Sequence, residues 1–169
     1  MDPLAHASVG LIAKPLAPKA PLWALLAATQ VPDVLSFAFF AVGIERGAVT
    51  RMDFAHGLQY LEKSFIPWSH GVVMAIFWSF IVAVLGLLLF RDRRTSLVLG
   101  LLVFSHWALD FIVYRYIPVF FDNSLVTGLG LITSPPGLIV GIIMEVGLIG
   151  GGIAAYLVAR NRKAAKAVE

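Results

Sequence analysis

Four apolar runs, each long enough to cross a bilayer as a helix, constrain this chain more than any other feature. A helical span takes about 20 residues. The runs are Ala20–Gly43, Trp68–Phe90, Thr95–Ile117 and Pro136–Ala159. Of the 23 Asp, Glu, Lys and Arg residues, only Asp33, Asp110, Arg115 and Glu145 fall inside them. Arg115 is close enough to a run end to snorkel. Hydrophobic residues make up 59% of the 169-residue chain and charged residues 14%. A soluble domain holds about 45–50% and about 25%. That balance excludes a water-soluble globule and a disordered chain, and it predicts a single integral-membrane domain spanning residues 1–169.

The chain has no cysteine, which excludes disulfides, thiolate catalysis and cysteine-held metals. The net charge of +3 sits in short runs flanking the spans, a topology signal rather than a nucleic-acid footprint. Nine Lys and Arg fall on the amino-terminal side: Lys14, Lys19, Arg91, Arg93, Arg94, Arg160, Arg162, Lys163 and Lys166. Three fall on the other: Arg46, Arg51 and Lys63. By the positive-inside rule both termini are expected in the cytoplasm. Pro3, Pro15, Pro18 and the early Asp2 and His6 argue against a secretory signal peptide.

Three segments lie between or before the runs. Residues 4–13 are apolar but too short to span, so they are expected to be interfacial, re-entrant or tucked against the spans. Residues 52–62 place Phe54, Leu58 and Leu61 near one helical face, which predicts an amphipathic helix on the outer interface. Residues 118–135 read as an outer loop. In the last run, Gly137/Gly141 and Gly147/Gly151 are small residues four apart, a spacing that admits a neighbouring helix backbone.

Ionisable groups at membrane depth are costly and usually face an interior or a wet cavity. At about 1.5 Å per residue from the outer run ends, Asp33 lies roughly 15 Å deep, beside Pro32, which is expected to kink its helix. His106 and Asp110 lie roughly 16 and 10 Å deep on one helical face, and Glu145 about 14 Å deep. His70 lies only about 3 Å deep, beside Trp68, where a solvated interfacial His is the alternative. All four spans thus bring a polar group to the same half of the membrane. Imidazole and carboxylate together suit zinc, manganese or non-haem iron, and zinc makes a nucleophile from water without cysteine or serine. A His106–Asp110 hydrogen bond is the structural alternative. A haem between His70 and His106 conflicts with their depth difference of about 13 Å. His56, on the expected surface helix, reads as solvated.

In order along the chain stand an early His (LAHASVGLIAK, His6), Pro-Asp in the first span (ATQVPDVL, Asp33), Pro-x-Ser-His opening the second (PWSHG, His70) and Ser-His-x-x-x-Asp in the third (SHWALD, His106 and Asp110). This order resembles a family of small bacterial inner-membrane proteins known as membrane-bound, metal-dependent hydrolases. The likeness runs from about residue 4 to residue 159 and includes GLGL at 128–131 and the Glu of the last span. The resemblance implies His6, Asp33, His70, His106 and Asp110 as metal ligands, with Glu145 as ligand or supporting residue. Tyr114 stands where members often carry a further His, Gly71 where a Ser is common and Ile132 where a Trp is common.

The expected fold is an all-α membrane protein. It is a four-transmembrane-helix bundle with a short amino-terminal helical segment, re-entrant if His6 is to reach the others, and an outer interfacial helix. The expected function is metal-dependent hydrolysis of a phosphoester or other ester near the outer face of a bacterial cytoplasmic membrane. A divalent ion, zinc first, is held by His70, His106, Asp110 and Asp33, with Glu145 as general base and a lipid-derived substrate. Two other readings stay open. One is a non-catalytic accessory subunit that docks partner membrane subunits through its glycines. The other is an ion conductor that uses the buried carboxylates.

Overall fold

The computed structural model describes residues 1–46, 51–53, 57–59, 65–122 and 124–165. Its helices are α1 (Pro3–Ala13), α2 (Leu22–Ala41), α3 (Pro67–His70), α4 (Val72–Phe90), α5 (Arg93–Val113) and α6 (Pro135–Ala165). Helices α2, α4, α5 and α6 are long and apolar enough to cross a membrane. Their outward faces are apolar: Phe77, Phe80, Leu88 and Leu89 on α4 and Ile139, Ile143 and Val146 on α6 are exposed. His6, Glu45, Ser69, Thr95, His106 and Asp110 are buried instead. An apolar exterior around polar groups is the surface a membrane protein presents to lipid.

Helix α1 starts where Asp2 caps it, its carboxylate accepting from the Leu4 N–H at 2.8 Å, with Pro3 in the first turn. It packs between α2 and α6 and also touches α5. Two glycines make that seat. A Cβ on Gly10 would meet the Leu25 carbonyl oxygen of α2 at 3.0 Å, and one on Gly152 would meet Ser8 of α1 at 2.8 Å. The expected Gly147/Gly151 contact is not the one made. Cβ atoms on Gly147, Gly150 and Gly151 would meet open space among the described residues, and Gly152 faces the neighbour instead. Small side chains continue the seat, with Ala13, Ala17, Ala20, Ala24 and Ala28 buried against Leu99, Leu102 and Val103 of α5.

Helices α4 and α5 form the tightest pair. Arg91 ends α4 in the left-handed region, at φ 51°. Asp92 then caps α5, accepting from the Thr95 N–H at 3.0 Å and its hydroxyl at 2.7 Å. Lys19 reaches Asp92 at 2.8 Å, and these bonds hold the Asp92 carboxyl below the usual carboxylate range, the Lys19 ammonium foremost. Between the two helices the Ser96 hydroxyl donates to the Ala83 carbonyl at 2.6 Å.

The structure corrects the expected elements at four places. The second run is not one helix: Gly71 is extended (φ −66°, ψ 145°) and separates α3 from α4. Helix α5 stops at Val113, short of Ile117, because the chain turns into Ile117–Pro118, which pairs antiparallel with Val126–Thr127. Helix α6 runs on to Ala165 rather than ending at Ala159. Within the stretch expected to be a surface helix, Arg51–Asp53 and Gly57–Gln59 are paired antiparallel strands, so cross-strand pairing replaces the helical spacing there and the fold is not purely helical. The rest of that stretch, His56 included, lies outside the described residues.

Candidate metal centre

His106 and Asp110 point inward from the carboxyl-terminal turns of α5, both buried, as their i, i+4 spacing requires. His106 Nδ1 lies 2.7 Å from the Thr29 carbonyl on α2. A carbonyl only accepts, so Nδ1 carries the proton, and in the neutral ring Nε2 keeps its lone pair. Pro32 has no N–H to give the helix ladder, which leaves the carbonyl of Ala28, the neighbour of Thr29, without its bond from that position.

His106 Nε2 is buried and has no hydrogen-bond partner among the described residues. It faces Asp110 Oδ2 at 3.4 Å and Asp33 Oδ1 at 3.5 Å. His70 Nε2 faces the same two carboxylates, Asp33 Oδ1 at 3.5 Å and Asp110 Oδ2 at 3.7 Å. These separations exceed the usual N–H···O range of about 2.7–3.2 Å. They match the edge of a tetrahedron of donors around one ion, about 3.4 Å for ligand distances of about 2.1 Å. His6 comes from α1, with Nε2 3.3 Å from Asp110 Oδ1 and its ring stacked on that of His106. Donor atoms of His6, His106 and Asp110 lie within 4.8 Å of one another, as do those of Asp33, His70 and His106. Neutral imidazoles turning lone pairs toward these two carboxylates would repel them, and a divalent cation between them would relieve that repulsion.

All five residues that the resemblance implied as ligands meet. The depth estimate that separated His70 from His106 fails, because their ring centroids are 5.4 Å apart. Both ends of that estimate moved. Helix α5 ends at Val113, which brings His106 nearer its end, and His70 belongs to the separate turn α3. The stacked His6 and His106 rings, 3.7 Å apart, leave no gap for a porphyrin on that face.

Glu145 is not part of either group. It is half-buried on α6 and its Oε1 accepts from the Asp2 N–H at 3.1 Å, at the start of α1. The Met1 ammonium donates to Asp110 Oδ1 at 3.1 Å, an ion pair at the edge of the cluster, and also contacts the Tyr114 hydroxyl, which places Tyr114 at the rim.

One participant escaped the reading of the residues. Glu45 is 2% exposed and hydrogen-bonds Ser69, the neighbour of His70. It stands just beyond the first apolar run and 24 positions from Ser69, so neither the spans nor helical spacing marks it. Its one sequence signal is a lone acid directly following an apolar run (Val42-Gly43-Ile44-Glu45).

Asp33 is 28% exposed and His70 13%, while His6, His106 and Asp110 are closed off. The cluster therefore opens on its Asp33 side. No family model, no curated protein and no solved structure matches the chain.

Proposed function

We propose that this chain is a membrane-embedded, metal-dependent hydrolase of a bacterial cytoplasmic membrane, folded as a four-span bundle with Lys19, Asp92 and the carboxyl terminus on the cytoplasmic side and α1 re-entrant among the spans, so that Met1 lies inside beside Asp110 rather than in the cytoplasm as the charge count predicts. Its metal is a divalent ion, zinc by preference, held by Asp33, His70, His106 and Asp110. The observation that carries the reading is His106 Nε2. It is a buried nitrogen without a hydrogen-bond partner among the described residues, with its tautomer set by Thr29 and two carboxylates in front of it. A buried polar atom left unsatisfied costs about 1–3 kcal/mol, and a cation at this point removes that cost.

A divalent ion supplies Lewis acidity and brings the pKa of a coordinated water down to about 7. The protein's part is to hold and shape the site. His6 steadies Asp110 through its second carboxylate oxygen, the outer-shell arrangement common around metals. Glu145, bonded to the start of α1, keeps His6 in range, and this position supports an anchoring part rather than proton transfer. The open side at Asp33 lies on a helix whose neighbouring Val34 and Phe37 are exposed. A substrate with an ester or phosphoester beside an apolar tail, such as a lipid headgroup, fits that approach.

Elemental analysis of the untagged, detergent-purified protein beside the His106→Ala/Asp110→Ala double variant tests the reading. The expected result is one divalent ion per wild-type chain, absent from a variant that keeps its helical circular dichroism. Phosphoester and lipid substrates are then screened. A wild-type chain that takes up no metal even after reconstitution overturns the hydrolase reading and leaves the accessory-subunit reading, for which the open Gly147/Gly150/Gly151 surface is the docking face.

A further inference from the structure

Beside the metal cluster lies a second buried polar group that the cluster itself does not account for. After α2 the chain turns at Gly43, which adopts φ 75°. The Arg46 and Phe65 backbones then pair through two hydrogen bonds of 2.9 Å. This bridge pins Glu45 over the first turn of α3. Glu45 Oε1 accepts from the Trp68 N–H at 2.9 Å and the Ser69 N–H at 2.8 Å. Glu45 Oε2 lies 2.7 Å from Ser69 Oγ, and Ser69 Oγ lies 2.7 Å from His70 Nδ1. Glu45 and Ser69 are both buried, at 2% and 0% exposure.

With Glu45 ionised, the donors and acceptors of this chain order in one way. An ionised carboxylate accepts and never donates. Both Glu45 oxygens are taken, so the single Ser69 hydroxyl proton goes to Oε2. Ser69 Oγ is then left as an acceptor towards His70, and His70 Nδ1 must carry a proton. The lone pair of the neutral ring stands on Nε2, the atom that faces Asp33 and Asp110.

We propose that Glu45 is a positioning residue that acts through Ser69 to fix the tautomer and the orientation of His70, so that Nε2 is presented to the metal. The proposal rests on the metal-centre reading for its consequence and on the hydrogen-bond chain for its cause. It gives His70 the same device that the Thr29 carbonyl gives His106. One imidazole is set by a backbone oxygen and the other by a carboxylate two bonds away.

The substitution Glu45→Gln is isosteric and has a definite consequence. Two backbone N–H groups face the Oε1 position, so the amide oxygen must sit there and its NH2 must face Ser69. Ser69 then accepts from the amide and donates to His70 Nδ1. The ring proton moves to Nε2, where it blocks the metal. Ser69→Ala leaves the Glu45 contacts to the α3 backbone intact and removes the hydroxyl that links Glu45 Oε2 to His70. Ser69→Thr keeps the hydroxyl and is the rescue.

The test has two readouts on the full-length chain in detergent. The first is the 15N shift of His70 in metal-free, 15N-histidine-labelled protein, assigned by its loss in His70→Asn. The second is the zinc Kd, measured by competition with a chromophoric chelator. The proposal expects Nδ1-protonated His70 in the wild type and in Ser69→Thr, and loss of that state in Ser69→Ala and Glu45→Gln. It expects zinc binding weakened about 10–100-fold in the latter two, the range for an outer-shell partner of a ligating His. A wild-type His70 protonated on Nε2, or unchanged tautomer and Kd in both variants, overturns it. The expected tautomers in a wild-type protein that binds no zinc would overturn the metal centre and uphold the Glu45–Ser69–His70 chain.

Discussion

The His6 imidazole lies flat on that of His106, with ring centroids 3.7 Å apart and planes 11° from parallel. The two rings flank Asp110, His6 at Oδ1 and His106 at Oδ2. Two stacked imidazolium rings would repel one another, so the stack disfavours charge on both rings at once. A short helix too brief to cross a membrane thereby becomes one wall of a polar cluster at the end of a long one.

This stack gives the first prediction. His6→Phe keeps an aromatic ring against His106 and loses the contact to Asp110. Stripped of metal it should retain the wild-type unfolding midpoint, and loaded it should hold one metal per chain, while zinc binding weakens about 10–100-fold. Complete loss of metal in His6→Phe would make His6 a ligand rather than a support for Asp110. Elemental analysis and chelator competition on the same preparation separate the two results.

A bound ion should also appear in stability. A ligand that binds only the folded state stabilises it by RT ln(1 + [L]/Kd), about 2.7 kcal/mol at one hundred times Kd. Zinc added to stripped wild-type protein should raise the thermal midpoint, chelation should reverse the rise, and His106→Ala/Asp110→Ala should show neither. An equal rise in the double variant would place the ion elsewhere.

The seat of α1 is the next target. Gly152→Val puts a side chain into the Ser8 backbone, where even a Cβ would lie 2.8 Å away. Overpacking of this kind costs about 1–3 kcal/mol. It should displace α1 and with it His6, so stability and zinc affinity fall together. Gly150→Ala meets nothing within 4 Å in the interior of α6 and should leave stability unchanged or raise it by up to about 1 kcal/mol. Chemical unfolding of both variants checks the contrast.

Asp92 predicts an acid dependence. Its folded-state carboxyl is held below the ordinary range by Lys19 and Thr95. Its contribution is therefore complete above the unfolded-state pKa of about 3.9 and is lost as the pH falls towards the folded value. The unfolding midpoint should drop more steeply below about pH 4 in the wild type than in Asp92→Asn, with Lys19→Met in between. Parallel midpoint-against-pH curves for all three proteins would remove Asp92 as a cause.

What the sequence alone determined about this protein follows from solvation. Runs of apolar residues predict helices α2, α4, α5 and α6, since only a helix satisfies its backbone in lipid. Asp33, His106 and Asp110 stand out because a charge inside such a run is expensive. Boundaries were less legible, because hydropathy does not register a backbone turn. Gly71 breaks an unbroken apolar run into α3 and α4, and the chain leaves α5 at Val113 amid apolar residues. The strands at Arg51–Asp53 and Gly57–Gln59 carry a spacing that also fits a helix.

Only the tertiary structure decided which polar groups meet. His70 reaches His106 because α3 turns separately from α4. His6 reaches Asp110 because Gly10 and Gly152 let α1 nest between two backbones. Glu45 reaches Ser69 because the Arg46–Phe65 bridge joins the chain after α2 to the chain before α3. Each is a contact across a long stretch of chain, set by where side chains are small enough for backbones to touch. Burial cost marks a residue as unusual from its neighbours in sequence, but hydrogen-bond geometry assigns it a partner only once the helices have packed.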